Sequence, residues 1–379
     1  LAKTEEVWLV PQIYENDVAG LFYTSGTTGI PKGVTLTNRN IVANALQGLA
    51  SHFATQTVTY LHSIPMFHIS AGVSTWMAFW LGGTHVVQKQ FDPKSTFELI
   101  KHERVTQVTW VPTMITMLLS DPGVAEADFS SLERINYGAS PISPTHLREA
   151  IEVFDCDFLQ AYGTTEAAPL LTVLTPDDHR QAISGGAKEA RRLLSCGREI
   201  LGVSVRVVDP RGAEVGPEEV GEVIVRGANL MSGYWEKPDE TKMVFRDGWY
   251  YSGDMGKFDE DGYLYLVDRK RDMIISGGEN IYSIEVENAL SSHPAVLECA
   301  VVGVPDEYWG EAVKAFVVLV PGKSVTMDDL IYHCRTVIAG YKCPRFLDFV
   351  EDLPKSGAGK VLKRELRDRH WQNRKRKVN

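Results

Sequence analysis

Strand-like and helix-like patterns of hydrophobic residues alternate along the first two thirds of the chain. Residues 21–23 predict the end of a strand that runs into a loop rich in glycine and threonine, and residues 38–49 have the apolar spacing of a helix. Residues 203–208 and 223–226 alternate apolar and polar side chains, as half-buried strands do. This mixture predicts a layered α/β domain.

Charged residues cluster at 268–272, between two apolar segments that predict strands. Before this cluster, residues 257–267 predict a hairpin that turns at 259–262. Charge clusters of this kind are typical of domain boundaries. We therefore predict a large domain over residues 1–270 and a small domain over residues 271–379.

The small domain has a compact α+β pattern. Ser283 is predicted to cap a helix that reaches Leu290, and residues 296–302 and 313–320 predict strands. A second helix begins with a capping box of Thr326 and Asp329. Its apolar positions at helical spacing are Leu330, Ile331, Cys334, Val337 and Ile338.

The most apolar stretch, residues 64–83, contains His68, Pro65 and three glycines. A membrane span tolerates such residues poorly, so we predict an interior helix or the wall of a pocket, with no transmembrane segment. Residues 1–12 mix charged and apolar side chains and predict no leader peptide.

Composition and charge exclude several classes of protein. Hydrophobic residues make up 44% and charged residues 23% of the 379 residues, as in ordinary globular proteins. The net charge of −10 argues against a nucleic-acid partner, and the short basic tail at 374–377 is predicted to be solvated. Five dispersed cysteines, without a C-x-x-C pair, predict buried free thiols in a soluble, cytoplasmic protein.

Residues 23–33 carry the strongest chemical signal, the run Tyr-Thr-Ser-Gly-Thr-Thr-Gly-Ile-Pro-Lys-Gly. Its glycines let backbone amides approach a polyanion, its hydroxyl groups donate hydrogen bonds, and Lys32 adds a positive charge. We therefore predict a phosphate-binding loop. It is not a Walker loop, because Pro31 stands where the second glycine belongs.

This loop is similar to the phosphate loop of adenylate-forming enzymes, the superfamily of acyl-CoA synthetases, luciferases and peptide-synthetase adenylation domains. Further motifs follow in the order of that superfamily, at residues 65–68, 137–140, 160–166, 251–254, 268–281 and 354–360. Within it, the chain most resembles acyl-CoA synthetases that act on fatty acids. The resemblance covers essentially the whole chain.

The resemblance implies a large layered α/β domain followed by a small α+β domain that rotates on a hinge. It also implies a two-step reaction with ATP, Mg²⁺ and coenzyme A. A carboxylic acid first attacks the α-phosphate of ATP, giving acyl-adenylate and pyrophosphate. Coenzyme A then displaces AMP to give acyl-CoA.

Residue roles also follow from the resemblance. Glu166 is expected to bind Mg²⁺, with Thr165 on the α-phosphate; Asp254 and Arg269 are expected to hold the ribose. Tyr162 is expected to stack on adenine, although a merely packed tyrosine is the alternative. The residues expected around the phosphates are Thr24, Ser25, Gly26, Thr27, Thr28, Gly29 and Lys32, and those around the adenylate are Gly138, Ala139, Ser140, Gly163 and Thr164.

Four further expectations concern the reacting groups and the hinge. Lys360 is expected to bridge the acid and the α-phosphate during adenylation, and Arg271 falls at the usual hinge position. The loop of Gly277, Gly278 and Glu279 is expected to line the thiol tunnel. His68 is expected to lie at the carboxylate end of the acyl pocket, with a satisfied core histidine as the alternative.

The acyl pocket is predicted from an apolar wall of Val73, Trp76, Met77, Phe79 and Trp80. No charged residue lies between His68 and Gly83, which favours a monocarboxylate, such as a medium- or long-chain fatty acid, over an amino acid. Transfer to a carrier protein, a non-catalytic nucleotide-binding fragment and a homodimer stay open.

One departure from the family concerns length. Only 22 residues precede Tyr23, where family members usually carry well over a hundred. We therefore expect part of the large domain to be missing, and some of its apolar surface to be exposed.

Overall fold

The computed structural model of the chain describes residues 12–24, 31–54, 57–139, 142–355 and 361–371. These residues form eleven α-helices and twenty β-strands, with the strands in four sheets. The helices are α1 (Asn38–Ala50), α2 (Ile69–Trp80), α3 (Pro93–Glu103), α4 (Pro112–Ser120), α5 (Pro144–Phe154), α6 (Pro176–Ser184), α7 (Ala187–Arg191), α8 (Pro238–Val244), α9 (Ser283–Ser291), α10 (Met327–Val337) and α11 (Lys363–Asp368).

A seven-stranded sheet forms the centre of the larger part of the molecule. Its strands are β3 (Thr59–His62), β4 (Thr84–Val87), β5 (Gln107–Trp110), β6 (Arg134–Gly138), β7 (Asp157–Gly163), β8 (Leu170–Leu174) and β9 (Arg198–Glu199). They lie in the order β4-β3-β5-β6-β7-β8-β9, parallel from β4 to β7 and antiparallel from β7 to β9. Helices connect the parallel strands, as parallel pairing requires.

Two antiparallel sheets complete this larger part. One contains β1 (Val18–Thr24), β2 (Lys32–Thr37) and β12 (Gly233–Tyr234). The other contains β10 (Val203–Val208), β11 (Gly221–Gly227), β13 (Phe245–Arg246), β14 (Trp249–Phe258) and β15 (Leu264–Arg269). Strands β14 and β15 form the predicted hairpin, and β10 pairs with β11 in full register.

The smaller part of the molecule is built on the fourth sheet. Its strands are β16 (Ile274–Ser276), β17 (Glu279–Ile281), β18 (Val296–Asp306), β19 (Gly310–Leu319) and β20 (Phe346–Phe349). Strands β18 and β19 are a long antiparallel pair, and β20 runs parallel to β19. A larger layered α/β domain and a small C-terminal α+β domain therefore make up the chain, as predicted.

Buried side chains lie on both faces of the seven-stranded sheet. Neighbouring residues of β7 point to opposite sides, so Phe158 joins one core cluster and Leu159 the other. The small domain repeats this arrangement, because Val301 and Val302 of β18 belong to different clusters. The seven-stranded sheet and the sheet of the small domain therefore both carry buried apolar side chains on each face.

Local patterns predicted several elements correctly, and tertiary contacts altered others. Thr326 caps α10 with the predicted box. Ser283 does not cap α9, because Tyr282 is the N-cap and the Ser283 hydroxyl bonds to Asp268. Val337 ends α10 with 54% of its surface exposed.

The predicted apolar wall is only partly internal. Helix α2 buries Val73 and Met77 in the large core, with Trp76 packed against it. Phe79 and Trp80 lie on the surface at 69% and 56% exposure, so both differ from the prediction. Both stand at the C-terminal end of the helix, past the residues that pack on the core.

Two further findings concern the remaining expectations. All five cysteines are free thiols, and three of them are buried. Among the residues that the structure describes, no helix has the length and apolar character needed to cross a bilayer.

His179 predicts a pH dependence of stability. It lies in α6 at 2% exposure, donates from Nδ1 to the Thr175 carbonyl and accepts the Tyr137 hydroxyl at Nε2. Burial lowers the pKa of His179 to about 4, so the folded state excludes a proton that the unfolded state binds below about pH 6.5. Stability should therefore fall as the pH drops from 6.5 towards 4, by about 2 kcal/mol at pH 5 from this residue.

Urea unfolding at pH 7.5 and pH 5.0 measures this loss. We expect His179→Gln to reduce the difference between the two pH values by about 2 kcal/mol. The control is His102→Gln, since His102 is exposed and pairs with Glu98 on the surface of α3. Equal pH dependence in wild type and His179→Gln would refute this assignment.

Candidate functional site

The carboxyl ends of β6 and β7 meet at one edge of the seven-stranded sheet. Strand β6 ends in Gly138, with Ala139 next at a positive φ of 68°, and β7 ends in Gly163. Residues 164–167 then turn through a short 3-10 segment that carries Thr165 and Glu166. Ligands of parallel sheets bind in the crevice at such strand ends.

Two glycines at this edge are required by close backbone contacts. A Cβ on Gly138 would lie 2.2 Å from the Ala161 carbonyl oxygen of β7. A Cβ on Gly163 would lie 1.7 Å from the Pro169 carbonyl oxygen, which accepts the Thr164 amide. These two glycines therefore serve the packing of the edge, whatever they contact in a ligand.

Asp254 connects Tyr162 and Arg269 at the same edge. The Tyr162 hydroxyl donates to Asp254 Oδ2 at 2.7 Å, and Arg269 Nε lies 3.5 Å from Asp254 Oδ1. Asp254 and Arg269 are also paired across strands β14 and β15. Burial, with the neighbouring Asp254 charge, raises the pKa of Tyr162, which stays a neutral donor.

Tyr162 belongs to the large core cluster and is only 8% exposed. Tyr162 is therefore packed in the core with its hydroxyl holding the Asp254 carboxylate, and its stacking on adenine stays a prediction. The structure brings together Asp254 and Arg269, the pair predicted to hold ribose. Tyr162 joins them through its hydrogen bond to Asp254.

Removing the Tyr162 hydroxyl should disturb this group. We expect Tyr162→Phe to lower the free energy of unfolding by about 1.5–3 kcal/mol, because a hydrogen bond to a charged group is lost. If Asp254 also holds ribose, the KM for ATP should rise by roughly tenfold. Urea unfolding and ATP titration of the adenylation rate measure the two effects.

Tyr263→Phe provides a matched control for this prediction. The Tyr263 hydroxyl donates to Asp178 at 2.6 Å, and both residues are 3% exposed. We expect a similar loss of stability without a change in the KM for ATP. An equal rise of the KM for ATP in both variants would show that the Tyr162–Asp254 hydrogen bond has no specific role in nucleotide binding.

Glu166 and Lys32 are connected through Tyr234, a residue that no sequence motif identified. The Tyr234 hydroxyl donates to Glu166 Oε1 at 2.9 Å, and Lys32 Nζ lies 5.0 Å from the centre of the Tyr234 ring. Lys32 also forms an ion pair of 2.5 Å with Glu240 of α8. Burial and the Glu166 charge raise the pKa of Tyr234, so its proton stays on the hydroxyl.

Strand pairing explains why these residues meet. Strand β12 carries Tyr234 and pairs with β2, which begins at Lys32, and the Met231 amide donates to the Glu166 carbonyl. Thr24, at the end of β1, pairs directly with Lys32. The predicted loop residues Ser25, Gly26, Thr27, Thr28 and Gly29 lie outside the described residues, as does Ser140.

The Thr164 hydroxyl has no hydrogen-bond partner among the residues that the structure describes. Its Oγ1 atom is buried. A buried polar group is usually satisfied. Among the described residues, Thr164 therefore has an unused hydroxyl between Gly163 and Thr165, and its predicted contact with the adenylate stays a prediction.

His68 has a structural role in this structure. It is the N-cap of α2, where its Nδ1 accepts the Ser70 amide at 3.3 Å and lies 2.7 Å from the Ser70 hydroxyl. The helix it starts packs Ile69 and Met77 into the cluster that contains Tyr162. This position agrees with the alternative of a satisfied histidine and leaves its catalytic role untested.

The predicted thiol-tunnel residues lie on the small domain. Gly277 and Gly278 form the turn between β16 and β17 with φ values of 60° and 88°, a conformation that favours glycine. A Cβ on Gly277 would lie 2.5 Å from the Trp309 ring, and Glu279 is exposed. Lys360 lies outside the described residues.

A polar cleft of about 780 Å³ lies at the opposite edge of the seven-stranded sheet. Arg134 and Asp157, the first residues of β6 and β7, line it and form an ion pair of 3.2 Å. Arg192 and Asp261 form another. The charges of this cleft are paired within the protein, and it is separate from the strand ends that carry Glu166.

Magnesium would meet one protein carboxylate at the candidate site. Among the described residues, no group of three or more His, Cys, Asp or Glu side chains could hold a metal ion. Glu166 Oε1 accepts the Tyr234 hydroxyl, and its second oxygen has no hydrogen bond from that tyrosine. One carboxylate fits Mg²⁺, which commonly binds through one or two carboxylates and substrate phosphates.

Comparison with known sequences identifies relatives of the whole chain. The AMP-binding enzyme family matches residues 2–235, and the AMP-binding enzyme C-terminal domain matches residues 285–360. Feruloyl-CoA synthase from Amycolatopsis sp is 42% identical over 93% of this chain and 70% of its own length. The fatty acid–[acyl-carrier-protein] ligase ScoC from Streptomyces coeruleorubidus is 40% identical over 94% of this chain and 68% of its own length.

Solved structures agree with this relationship. The o-succinylbenzoate coenzyme A synthetase MenE from Bacillus subtilis, in complex with ATP and a magnesium ion, matches with a TM-score of 0.82 and 32% identity. The match covers 93% of this chain and 70% of that protein. The chain therefore belongs to the AMP-binding enzyme family and is an AMP-forming acid–thiol ligase of the adenylate-forming type.

Proposed function

We propose that the chain is an ATP-dependent acyl-CoA synthetase that activates a monocarboxylic acid, with a medium- or long-chain fatty acid as the preferred class. The observation that carries the proposal is the arrangement of three charged residues around two tyrosines near the carboxyl ends of β6 and β7. Tyr234 donates to Glu166 and lies under Lys32, and Tyr162 donates to Asp254. Residues 1–270 form the adenylating domain in this proposal, and residues 271–379 the mobile one.

In the first half-reaction, the acid carboxylate attacks the α-phosphorus of ATP and pyrophosphate leaves. Both reactants are anionic, so the protein's main task is to place positive charge and hydrogen-bond donors around them. Lys32 and Thr165 contact the phosphates, and Thr164 lies next to Thr165 with its hydroxyl towards the adenylate. Asp254 with Arg269 holds the ribose, and Lys360 approaches the reacting oxygen atoms. Glu166 would hold Mg²⁺, which supplies charge neutralisation on the phosphates.

In the second half-reaction, the thiol of coenzyme A attacks the acyl carbonyl carbon and AMP leaves with the bonding electrons. The turn at Gly277 and Gly278 lies beside the acyl-adenylate after the small domain rotates. Arg271 is the hinge residue, since it lies between the last strand of the large domain and the first strand of the small one.

The preference for an apolar acid rests on helix α2. Val73 and Met77 are buried in the core and offer no free surface. The half-buried Trp76 ring, which packs edge to face against Phe22 at 6.1 Å, and the exposed Phe79 and Trp80 do offer one. An apolar, aromatic surface accepts either an alkyl chain or an aryl ring. Feruloyl-CoA synthase and ScoC are named for an aryl acid and for fatty acids, so both classes belong in the test.

AMP release by the full chain with Mg-ATP and a series of fatty and aryl acids tests the proposal. We expect AMP that depends on the acid and increases with coenzyme A. The similarity to ScoC favours one second candidate, transfer to a carrier protein. AMP release that increases with holo-acyl-carrier protein but not with coenzyme A would establish that candidate instead.

A further inference from the structure

A cluster of buried charges lies where the two domains are connected, and no role described above uses it. Its acidic members are Asp268, Asp272 and Glu287, and its basic members are Lys363 and Arg367. The first two lie on the connecting segment, residues 268–272, which contains the last two residues of β15 and most of the link to β16. The two basic residues lie on α11, which begins three residues after Lys360.

Lys363 ties α11 to the start of the connecting segment. Its Nζ lies 2.7 Å from Glu287 Oε1 and donates to the Ser283 hydroxyl at 2.7 Å. The Ser283 hydroxyl in turn donates to Asp268 Oδ1 at 3.1 Å. Burial lowers the pKa of Lys363, but the charges of Glu287, Asp268 and Asp272 outweigh it and the net shift is upward, so this lysine stays charged.

Arg367 ties the same helix to the end of the connecting segment. Its Nη1 lies 2.8 Å from Asp272 Oδ1 and donates to the Arg271 carbonyl at 3.4 Å. The side chains of Arg367 and Asp272 are 14% and 12% exposed. One short helix therefore holds both ends of a five-residue connection.

Apolar packing alone would keep α11 on the small domain. Leu366 is buried in the cluster of Ala300 and Val302, on the outer face of β18. Buried ion pairs add little stability compared with apolar side chains of similar volume, because both charges lose their hydration. What these pairs add is a fixed position of α11 relative to residues 268–272.

The chain length limits how far Lys360 can lie from this anchor. Three peptide units separate it from Lys363, so the two Cα atoms lie at most about 11 Å apart. On the other side of Lys360, Val361 pairs with Lys355, and the Leu362 amide donates to the Pro354 carbonyl at 2.7 Å. The backbone that follows Lys360 is thus fixed by a β-bridge and by the charge cluster.

We infer that Lys363 and Arg367 are positioning residues for the adenylation half-reaction. By bonding, through Ser283, to Asp268 on the large-domain side of Arg271 and directly to Asp272 on its other side, they hold α11, and with it the chain that follows Lys360, at one position relative to the hinge. This inference rests on the proposed function for the role of Lys360, whereas the anchoring of α11 to residues 268–272 does not depend on it.

Hydrogen–deuterium exchange of the full chain tests the anchoring without any substrate. Arg367→Gln and Asp272→Asn each remove the charge of one partner with little change in volume. We expect both variants to exchange faster in the two peptides that cover residues 268–273 and 361–368. Arg364→Gln is the matched control, because Arg364 lies on the same helix and pairs with Asp368 at the surface. Unchanged exchange at 268–273 in both variants would overturn the inference.

The two half-reactions, measured separately, test the positioning role. We expect Arg367→Gln to slow acid-dependent ATP–pyrophosphate exchange by about 10²-fold, the loss that a misplacement of about 1 Å produces. Thioester formation from a synthetic acyl-adenylate should change by less than about threefold, and this result would also exclude general misfolding of the variant. Arg367→Lys should recover most of the rate of ATP–pyrophosphate exchange. An equal fall in both half-reactions would overturn the positioning role. A wild-type chain with no exchange on any acid would instead contradict the proposed function, and the deuterium pattern would then decide the anchoring alone.

Discussion

Replacing Lys360 with alanine should slow formation of the acyl-adenylate by about 10²–10³-fold, because the step brings a carboxylate against a polyphosphate and loses a positioned positive charge. Thioester formation from a pre-made acyl-adenylate should be largely unaffected, since the lysine acts only in the first half-reaction of the proposed mechanism. ATP–pyrophosphate exchange measures the first step, and acyl-CoA produced from synthetic acyl-adenylate measures the second.

Lys355→Ala supplies the control for this prediction. Lys355 lies five residues before Lys360 and is engaged by Glu298 at 2.8 Å and Asp352 at 3.0 Å, so its charge is already neutralised within the small domain. We expect that variant to keep both half-reactions within a few-fold of wild type. If Lys360→Ala lowered both half-reactions equally, the lysine would serve the fold or both steps, and the two-step assignment would be wrong.

Sequence patterns predicted the elements whose causes are local. The capping box of Thr326 and Asp329 starts α10 because both partners lie within one turn. The alternation over residues 203–208 became β10, whose apolar residues face the core. The family motifs named Asp254 and Arg269 together, and the fold pairs them across β14 and β15 with Tyr162 bonded to Asp254, while their role in binding ribose stays a prediction.

Contacts between distant parts of the chain account for what the sequence did not predict. Ser283 has the chemistry of an N-cap, yet its hydroxyl is bound by Asp268 and Lys363, which lie 15 and 80 residues away. Tyr234 and Glu240 carry no motif, and they reach Glu166 and Lys32 only because β12 pairs with β2. The local periodicity of hydrophobic residues cannot predict hydrogen-bond or ion-pair partners that lie far apart in the sequence.

Contacts with distant residues also decide which side chains of helix α2 are exposed. Its sequence is apolar on every side, so a hydrophobic pattern could not tell its buried face from its outer one. Packing against α1 made that choice, because Gly48 of α1 leaves room for the Met77 side chain. Phe79 and Trp80, the last two residues of the helix, lie beyond this contact and are exposed.

Glu166→Gln should lower the adenylation rate by about 10²-fold and raise the Mg²⁺ concentration needed for half-maximal rate. The substitution keeps the shape of the side chain and an oxygen that can accept the Tyr234 hydroxyl, so the fold around it should persist. It removes the negative charge that would hold Mg²⁺ against the phosphates, and a neutral amide is a weaker ligand for a hard cation. Magnesium titrations of ATP–pyrophosphate exchange measure both quantities.

Tyr234→Phe separates the charge of Glu166 from its orientation. That variant keeps the carboxylate but removes the donor 2.9 Å from its Oε1. It should therefore also raise the Mg²⁺ concentration needed for half-maximal rate, but by only about tenfold, as the loss of a group that orients a metal ligand does. Glu214→Gln, at an exposed carboxylate paired with Arg206, should leave the titration unchanged. A Glu166→Gln enzyme with the wild-type magnesium requirement would remove Glu166 from the metal site, because no property of the glutamine side chain could replace the lost charge.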